Sequence, residues 1–504
     1  MSTLTLSRRS VLGGLAGSLV IPVTTASAAT TSLKADYVTD VLIVGSGFAG
    51  MAAAVAAAET GAKVMVIEKM AFFGGNSAIS GGMLAVPGSS VQKAQGIDDS
   101  PEKLMADMVR IGKGMGDPEH IRFLCENASD TFEWTRTVMG VEWNEHLTGK
   151  GGHSANRCMV TKQGSGQGIL KPALEKLKAM GADLRTRVFM EEIIRAPEGA
   201  VTGVRVRENY AFGKPDSGTP KTITVKRGIV LAFGGFGADV NFRKRQDPKL
   251  GEAFQTTNHP GATSEGLRQA SRIGAHLVQT DWIQCLPSCS PVERGMGKAS
   301  HFASIAGSLY GLWIDSATSK RFVDEFGDRK LCTDAILNVI NTGGKALAVA
   351  DRNGMREMAV VRPGLAEKIL ESGVLREFKT TDDLVKAYGL DRKTFEATLA
   401  RYNTLLKDGK DADFGRRFDK KAQPPEQGPW FVSEMSPKVH HCMGGMLTAV
   451  DTGVLDIMTD KPIPGLFAAG ECVGGIHGAV RIGACAVMDC LVNGRAAGRA
   501  AAAK

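Results

Sequence analysis

The hydrophobic pattern along the chain is punctuated by short, uninterrupted apolar runs that stop at glycines. Val41-Leu42-Ile43-Val44 follows a polar stretch over residues 30–39. It is too short for a helix and does not alternate, as expected of a strand buried on both faces. A glycine turn and an alanine-rich helix predicted over Ala52–Glu59 come next, then a second apolar run, Lys63-Val64-Met65-Val66-Ile67. Strand, helix and strand make a βαβ unit with parallel strands. Gly228–Ala232 is a further short strand that ends in Gly234-Gly235-Phe236-Gly237, and Gly465–Gly470 repeats the strand-into-glycine pattern near the C-terminus. Arg185–Arg207 reads as paired strands around a turn at Pro197–Gly199. From Trp282 to Pro424 the chain is more charged and helical, with helices predicted over Pro363–Glu371 and Asp382–Tyr402. The pattern predicts an α/β domain built from 35–281 and 424–504, with an α+β capping domain, 282–423, inserted in it.

The N-terminus adds a targeting signal. Ser7-Arg8-Arg9-Ser10-Val11-Leu12 precedes an apolar run that ends near Val23, followed by Ala26-Ser27-Ala28, a small-x-small cleavage site. Residues 1–28 are therefore expected to be a twin-arginine signal peptide, and the mature protein to be periplasmic. Gly13, Gly14, Gly17 and Pro22 keep the run short of the roughly 20 residues that span a membrane. No other stretch comes near that length, so an integral membrane protein is not expected.

With 504 residues, 43% of them apolar and 23% charged, the chain can build large cores without disulfides. The formal charge of +8, about +6 once Arg8 and Arg9 are removed, favours anionic small molecules. Basic residues are scattered and form no stripe with aromatics, so nucleic acid is not an expected partner. The nine cysteines are dispersed, with no C-x-x-C and no C-x-x-C-H spacing. No metal or haem site is expected, and an odd count leaves at least one thiol unpaired.

Gly45-Ser46-Gly47-Phe48-Ala49-Gly50 stands directly after a strand and opens a helix, and Glu68 closes the next strand. Gly45 suits a tight turn, Gly47 lets backbone approach a pyrophosphate, Gly50 lets helix pack on strand, and Glu68 can bond ribose hydroxyls. Ala49 and Lys69 belong to the same candidate set. Gly74-Gly75-Asn76-Ser77 and Gly81-Gly82 add backbone approach points just beyond the acid, and Gly470-Glu471 ends the C-terminal strand. A cofactor touched by both ends of the chain is an extended one, which points to FAD rather than NAD. The first domain is thus a Rossmann-like FAD-binding domain. The pattern over about 35–504 resembles the flavin domain of the fumarate reductase and succinate dehydrogenase flavoprotein superfamily. Members with covalent flavin carry histidine where this chain has Asn76, so the resemblance implies non-covalent FAD.

Within that superfamily the chain is most similar to soluble fumarate reductases and flavocytochrome c enzymes. The segments that carry the likeness are Lys320-Arg321-Phe322-Val323-Asp324-Glu325 with Arg329, His440-His441-Cys442-Met443-Gly444-Gly445, and Gly474–Gly483 around Arg481. The resemblance implies that His441 and Arg481 hold a substrate carboxylate, with His440 in the same pocket, and that Arg329 is the proton donor. Arginine suits carboxylate binding because its planar fork meets both oxygens. Hydride would pass from flavin N5 to the β-carbon of an unsaturated carboxylate while Arg329 protonates the α-carbon. Ala484 and Ala486 would start a helix whose amides face the flavin, and the capping domain would close over the site.

The family pattern fails at the far end of the pocket. A histidine precedes the proline of a Q-x-H-P segment in true fumarate reductases, where this chain has Gln284-Cys285-Leu286-Pro287. Counting back from Gly311 puts Ser304, Ile305 and Ser308 where a Thr-Glu pair and an arginine feed protons to the acid. Leu286 cannot hold a second carboxylate, whose unpartnered burial is costly. The expected substrate is therefore a small unsaturated monocarboxylate of acrylate or cinnamate type. The alternatives are fumarate reduction to succinate, a flavin dehydrogenase of ketosteroid type, and an electron-transfer flavoprotein subunit without small-molecule turnover. With no haem motif in the chain, the expected electron donor is a separate protein, most simply a c-type cytochrome or else a membrane quinol-linked haem protein.

Overall fold

The apolar runs become strands β1 (Tyr37–Val44), β2 (Val64–Glu68), β3 (Thr219–Leu231) and β4 (Pro462–Ala468) of one sheet. This computed structural model describes residues 35–149, 151–425 and 428–503, so the expected signal peptide 1–28 lies outside the described residues. β1 pairs in parallel with β2 on one side and β3 on the other, and β4 runs parallel to β3. Asp183–Thr186 extends the sheet beyond β2, and Gly453–Leu455 closes its other edge antiparallel to β4. The hairpin Val188–Arg195/Val201–Glu208 joins through β3, with its turn at the expected Pro197–Gly199. Val41, Leu42 and Ile43 have no exposed surface, which is why no polar residue interrupts them. Each such side chain contributes roughly 1.5–3 kcal/mol on burial.

Helix α1 (Phe48–Glu59) starts four residues earlier than its alanine run suggests, because the first turn includes Phe48 and Gly50. It is buried over nearly its whole length between the sheet and the C-terminal helix α2 (Cys485–Ala502). Small residues make that approach possible. A Cβ on Gly494 would lie 2.5 Å from the Ala49 carbonyl oxygen, and one on Gly498 would lie 2.1 Å from that of Ala53. The i,i+4 glycines of α2 thus ride over the i,i+4 alanines of α1. This contact ties the C-terminal helix to the glycine-rich turn that precedes α1.

The inserted segment builds its own antiparallel sheet, in the order Lys320–Arg321, Leu312–Asp315, Ala346–Ala350, Trp430–Met435, Arg376–Phe378. Trp430–Met435 groups with this sheet although it lies past the expected boundary at 423. The single helix expected over 382–402 is two, Thr381–Tyr388 and Arg392–Lys407. Gly389 ends the first at φ +65°, and Asp391 caps the second by accepting from the Thr394 amide. Both sheets are joined by the ladder Ile283–Leu286/Lys438–Cys442, in which Gln284 faces His441. Eight of the nine cysteines are buried.

Gly498→Val is expected to lower stability by about 1–3 kcal/mol or more, because the clash falls on backbone that no rotamer change can relieve. Thermal unfolding checks this. An unchanged melting temperature would contradict the packing described.

Candidate active site

Two cavities meet at the C-terminal ends of β1, β2 and β4. The first, about 950 Å³ including its mouth, is lined by Gly45, Gly47, Ala49, Glu68, Lys69, Gly74, Gly75, Asn76 and Ser77. The second, about 1790 Å³ on the same measure, holds Gly81, Gly82, Ala484, Ala486, Leu286, Ser304, His440, His441, Arg481 and Arg329. Phe48, Asn76, Ser77, Glu471 and Cys490 line both, so the two form one elongated groove.

The first cavity has the features a dinucleotide requires. Gly45 sits at φ +104°, where a Cβ would fall 2.4 Å from the Ala232 carbonyl oxygen. α1 has no side-chain cap, so apart from the Phe48 amide, which donates to Ser77 Oγ (2.9 Å), its first-turn amides are open to a phosphate. The Glu68 carboxylate accepts from Ser46 Oγ (2.6 Å) and the Met70 amide (2.9 Å), which fixes it at the end of β2. Lys69 reaches across to Thr263 and Glu265. Asn76 donates to Asn258 Oδ1 (2.6 Å) and accepts from the His259 amide (2.7 Å), so both ends of its amide are engaged.

In the second cavity the electrostatics are unusual. Arg481 is 4% exposed, and its backbone is clamped by Gln284, which accepts from its amide (2.7 Å) and donates to its carbonyl (3.2 Å). Its Nη1 donates only to the neighbouring Ile482 carbonyl, and its Nε has no partner. Arg329 is the first residue of the helix Arg329–Asn341, and its Nη1 is shielded from solvent without an acceptor. Among the described residues neither arginine has an ion-pair partner, and the acids beside Arg329 are all engaged. Glu325 accepts from Arg321 Nε (2.7 Å) and Arg416 Nη1 (3.2 Å). Asp328 caps the helix and pairs with Lys113 at 3.5 Å, and Asp324 accepts from the Phe326 amide. Burial, then the charge of Arg481, pushes Arg329 well below the ordinary arginine range, and burial lowers Arg481 as well. The positive end of its own helix works in the same direction on Arg329.

The two histidines face this charge. His441 Nδ1 lies 3.5 Å from Glu471 Oε1, and burial pushes the ring down to about 4 against the opposing pull of that carboxylate. His440 Nδ1 is 2.7 Å from Thr257 Oγ1, and burial followed by Arg329 holds it well below its ordinary value. Glu471, expected at the cofactor, also accepts from the Cys442 amide (3.0 Å) and thereby orients the His440–Cys442 strand.

Three expected residues do not reach the groove. Ile305 is 3% exposed and packs in the capping-domain core, because the break between Ala299–Ser304 and Ala306–Leu309 turns its apolar side chain inward. Ser304 and Ser308 line the cavity instead. Gly50 and Gly470 are packing glycines: a Cβ would lie 2.0 Å from the Gly45 oxygen in one case and 2.8 Å from Ala49 Cβ in the other. Ser300, His301, Met296, Trp313 and Arg362 line the second cavity without having been foreseen. Met296, Ser300, His301 and Trp313 lie in sequence between the Leu286 and Arg329 segments, whereas Arg362 has no such signal.

A groove with a dinucleotide turn at one end and two uncompensated guanidinium groups at the other defines a flavin oxidoreductase with a site for an anion. Its residues match the FAD binding domain family from 40 to 487, and the chain belongs to that family. It is 37% identical over 499 residues to the acrylate reductase flavoprotein subunit of Shewanella woodyi, covering 98% of each. Identity to the urocanate reductase of Eggerthella lenta is 33% over 470 residues, 92% of this chain and 74% of that one. The structure also matches the open conformation of a flavocytochrome c3 fumarate reductase, with a TM-score of 0.73 and 29% identity over 93% of this chain and 79% of the other. The protein is an FAD-dependent oxidoreductase, and its glycine turn, open α1 amides and Glu68 fit that cofactor.

An unpaired buried cation opposes folding. Arg329→Met is therefore expected to raise the melting temperature, by the equivalent of about 1 kcal/mol or more, while removing activity. A lower melting temperature in the variant would show that Arg329 has a stabilising partner.

Proposed function

We propose that this enzyme reduces the carbon-carbon double bond of a small α,β-unsaturated monocarboxylate of acrylate or cinnamate type. The observation that carries the reading is the pair Arg329 and Arg481, which line one cavity with guanidinium nitrogens left unpartnered, while the acids of the same cavity, Glu325, Asp328 and Glu471, are paired with Arg321 and Arg416, Lys113 and His441. The carboxylate of the substrate supplies the missing charge. Acrylate and urocanate, named for two of the relatives, each carry one carboxylate conjugated to a double bond. Leu286, Pro287 and Met296 supply an apolar wall where a dicarboxylate would need a cation.

FAD, when bound, supplies the hydride that reduction of the double bond requires. Arg481 and protonated His441 draw charge onto the substrate carboxylate, which makes the β-carbon electron-poor. Arg329, already below its ordinary pKa, gives a proton to the α-carbon and regains one from solvent. Ser300, Ser304 and Ser308 line the same cavity and offer a polar route to it. The capping segment excludes water from the site. Fumarate reduction is the second reading, favoured by the hydroxyls of Ser300 and Ser304 on the wall beside Leu286. An uncharged ketosteroid would leave both guanidiniums uncompensated.

Arg8-Arg9 and Ala26-Ser27-Ala28 support export by the twin-arginine route to the periplasm. The S. woodyi relative is named a flavoprotein subunit, which supports a separate electron-donor protein, for which a c-type cytochrome is the class proposed. The engaged amide of Asn76 supports non-covalent FAD. Acid precipitation is expected to release all flavin into the supernatant, and a precipitate that retains it would contradict this.

Anaerobic reoxidation of reduced viologen by the FAD-loaded protein tests the reaction. Acrylate, methacrylate or cinnamate should turn over rapidly and fumarate poorly, and Arg329→Ala should lower kcat by about a thousandfold or more. Fumarate as the best substrate would overturn the monocarboxylate reading. The site also predicts a pH dependence. His441 stands at about 4 in the free site, and a bound carboxylate raises it, so binding takes up a proton. KM is expected to fall as pH falls from neutral toward about 4. A KM independent of pH would show that His441 does not meet the carboxylate as a cation.

A further inference from the structure

A buried chain of polar groups reaches the active site from a region that none of the catalytic residues touch. Arg157 has no exposed side-chain surface and is held by two aspartates. Its Nε and Nη2 donate to Asp99 (2.8 and 2.7 Å), and its Nη1 donates to Asp107 Oδ2 (2.7 Å). The same Nη1 lies 3.1 Å from His153 Nδ1, and His153 Nε2 lies 2.8 Å from the Gly483 carbonyl oxygen. Arginine can only donate, so Nδ1 accepts, Nε2 carries the hydrogen, and the ring donates to Gly483. Burial holds this histidine at about 4, so it stays neutral in that tautomer.

Gly483 precedes Ala484, which caps α2 at φ +68°, a left-handed conformation that a residue with a Cβ keeps only when its surroundings hold it. Ala484 and Ala486 line the second cavity, so the first turn of α2 opens on it. Gln284 clamps Arg481 just before this turn, and His153 holds the Gly483 carbonyl within it.

We propose that His153 is a positioning residue: its Nε2–H fixes the Gly483 carbonyl and thereby aims the positive N-terminus of α2 at the redox end of the FAD groove. Resting on the flavin assignment but not on the choice of substrate, this makes the arginine–aspartate cluster a buried anchor for the flavin's electrostatic environment. Without the donor, the strained turn at Ala484 relaxes and its amides leave the cavity.

Two isosteric changes separate this role from a purely structural one. His153→Gln keeps a donor at the distance of Nε2 and can still reach Gly483. His153→Asn keeps an acceptor at the position of Nδ1, satisfies Arg157 and cannot reach Gly483. The readout is the reduction potential of each FAD-loaded variant without substrate, so failure of the enoate reading leaves the test intact. His153→Asn is expected to shift the potential negative, enough to change the reduced-to-oxidised flavin ratio at fixed poise by about tenfold. His153→Gln is expected to stay near the parent protein. Equal potentials in all three proteins, equal shifts in both variants, or a larger shift in His153→Gln would each overturn the proposal.

Discussion

Two guanidinium groups line one cavity with no ion-pair partner among the described residues, and much of the surrounding structure serves to hold them there. Left alone, Arg329 and Arg481 would repel each other or turn outward to solvent. Each is restrained by something other than an ion pair. Gln284 grips both backbone groups of Arg481. Arg329 is fixed as the first residue of a helix whose cap, Asp328, is itself paired with Lys113. The acids nearest in sequence are diverted, most completely Glu325, which is enclosed by Arg321 and Arg416. The result is a site that has sacrificed stability for a charge deficit, as binding sites for anions do.

The sheet and its helices set the geometry around that deficit. Parallel strands bring the glycine turn after β1, the acid after β2 and Glu471 after β4 to one edge of the sheet, the usual place for a ligand in such folds. Close packing of α1 against α2 lets one groove receive contributions from both ends of the chain. The antiparallel ladder from Ile283 to Cys442 then places His441 opposite Gln284, so His441 and the clamp on Arg481 share one ladder.

Local signals carried most of this into the sequence. Apolar runs ending in glycine mark β1, β2, β3 and β4, because strands covered on both faces tolerate no polar residue. The spacing of Gly45, Gly47, Gly50 and Glu68 marks the dinucleotide turn, because each position answers one steric or hydrogen-bonding need. What was not legible depends on distance along the chain. Glu325 is neutralised by Arg416 and Arg321, and Asp411 completes that network 90 residues from Arg321. His153 acts on a carbonyl 330 residues away. Ile305 reads as a pocket position by counting, yet a helix break turns it into the core. Gly389-Leu390-Asp391 reads as helix interior by periodicity, although glycine followed closely by aspartate is a stop and a start.

The proposed reaction requires the cavity to bind a single carboxylate as the counterion of Arg481 and Arg329. Calorimetric titration of the oxidised FAD-loaded protein with propionate and with propionamide tests it most directly, since the two ligands differ in charge and hardly in shape. Propionate is expected to bind at least about a hundredfold more tightly, with the difference lost in Arg481→Met. Equal affinity for the acid and its amide would contradict the account.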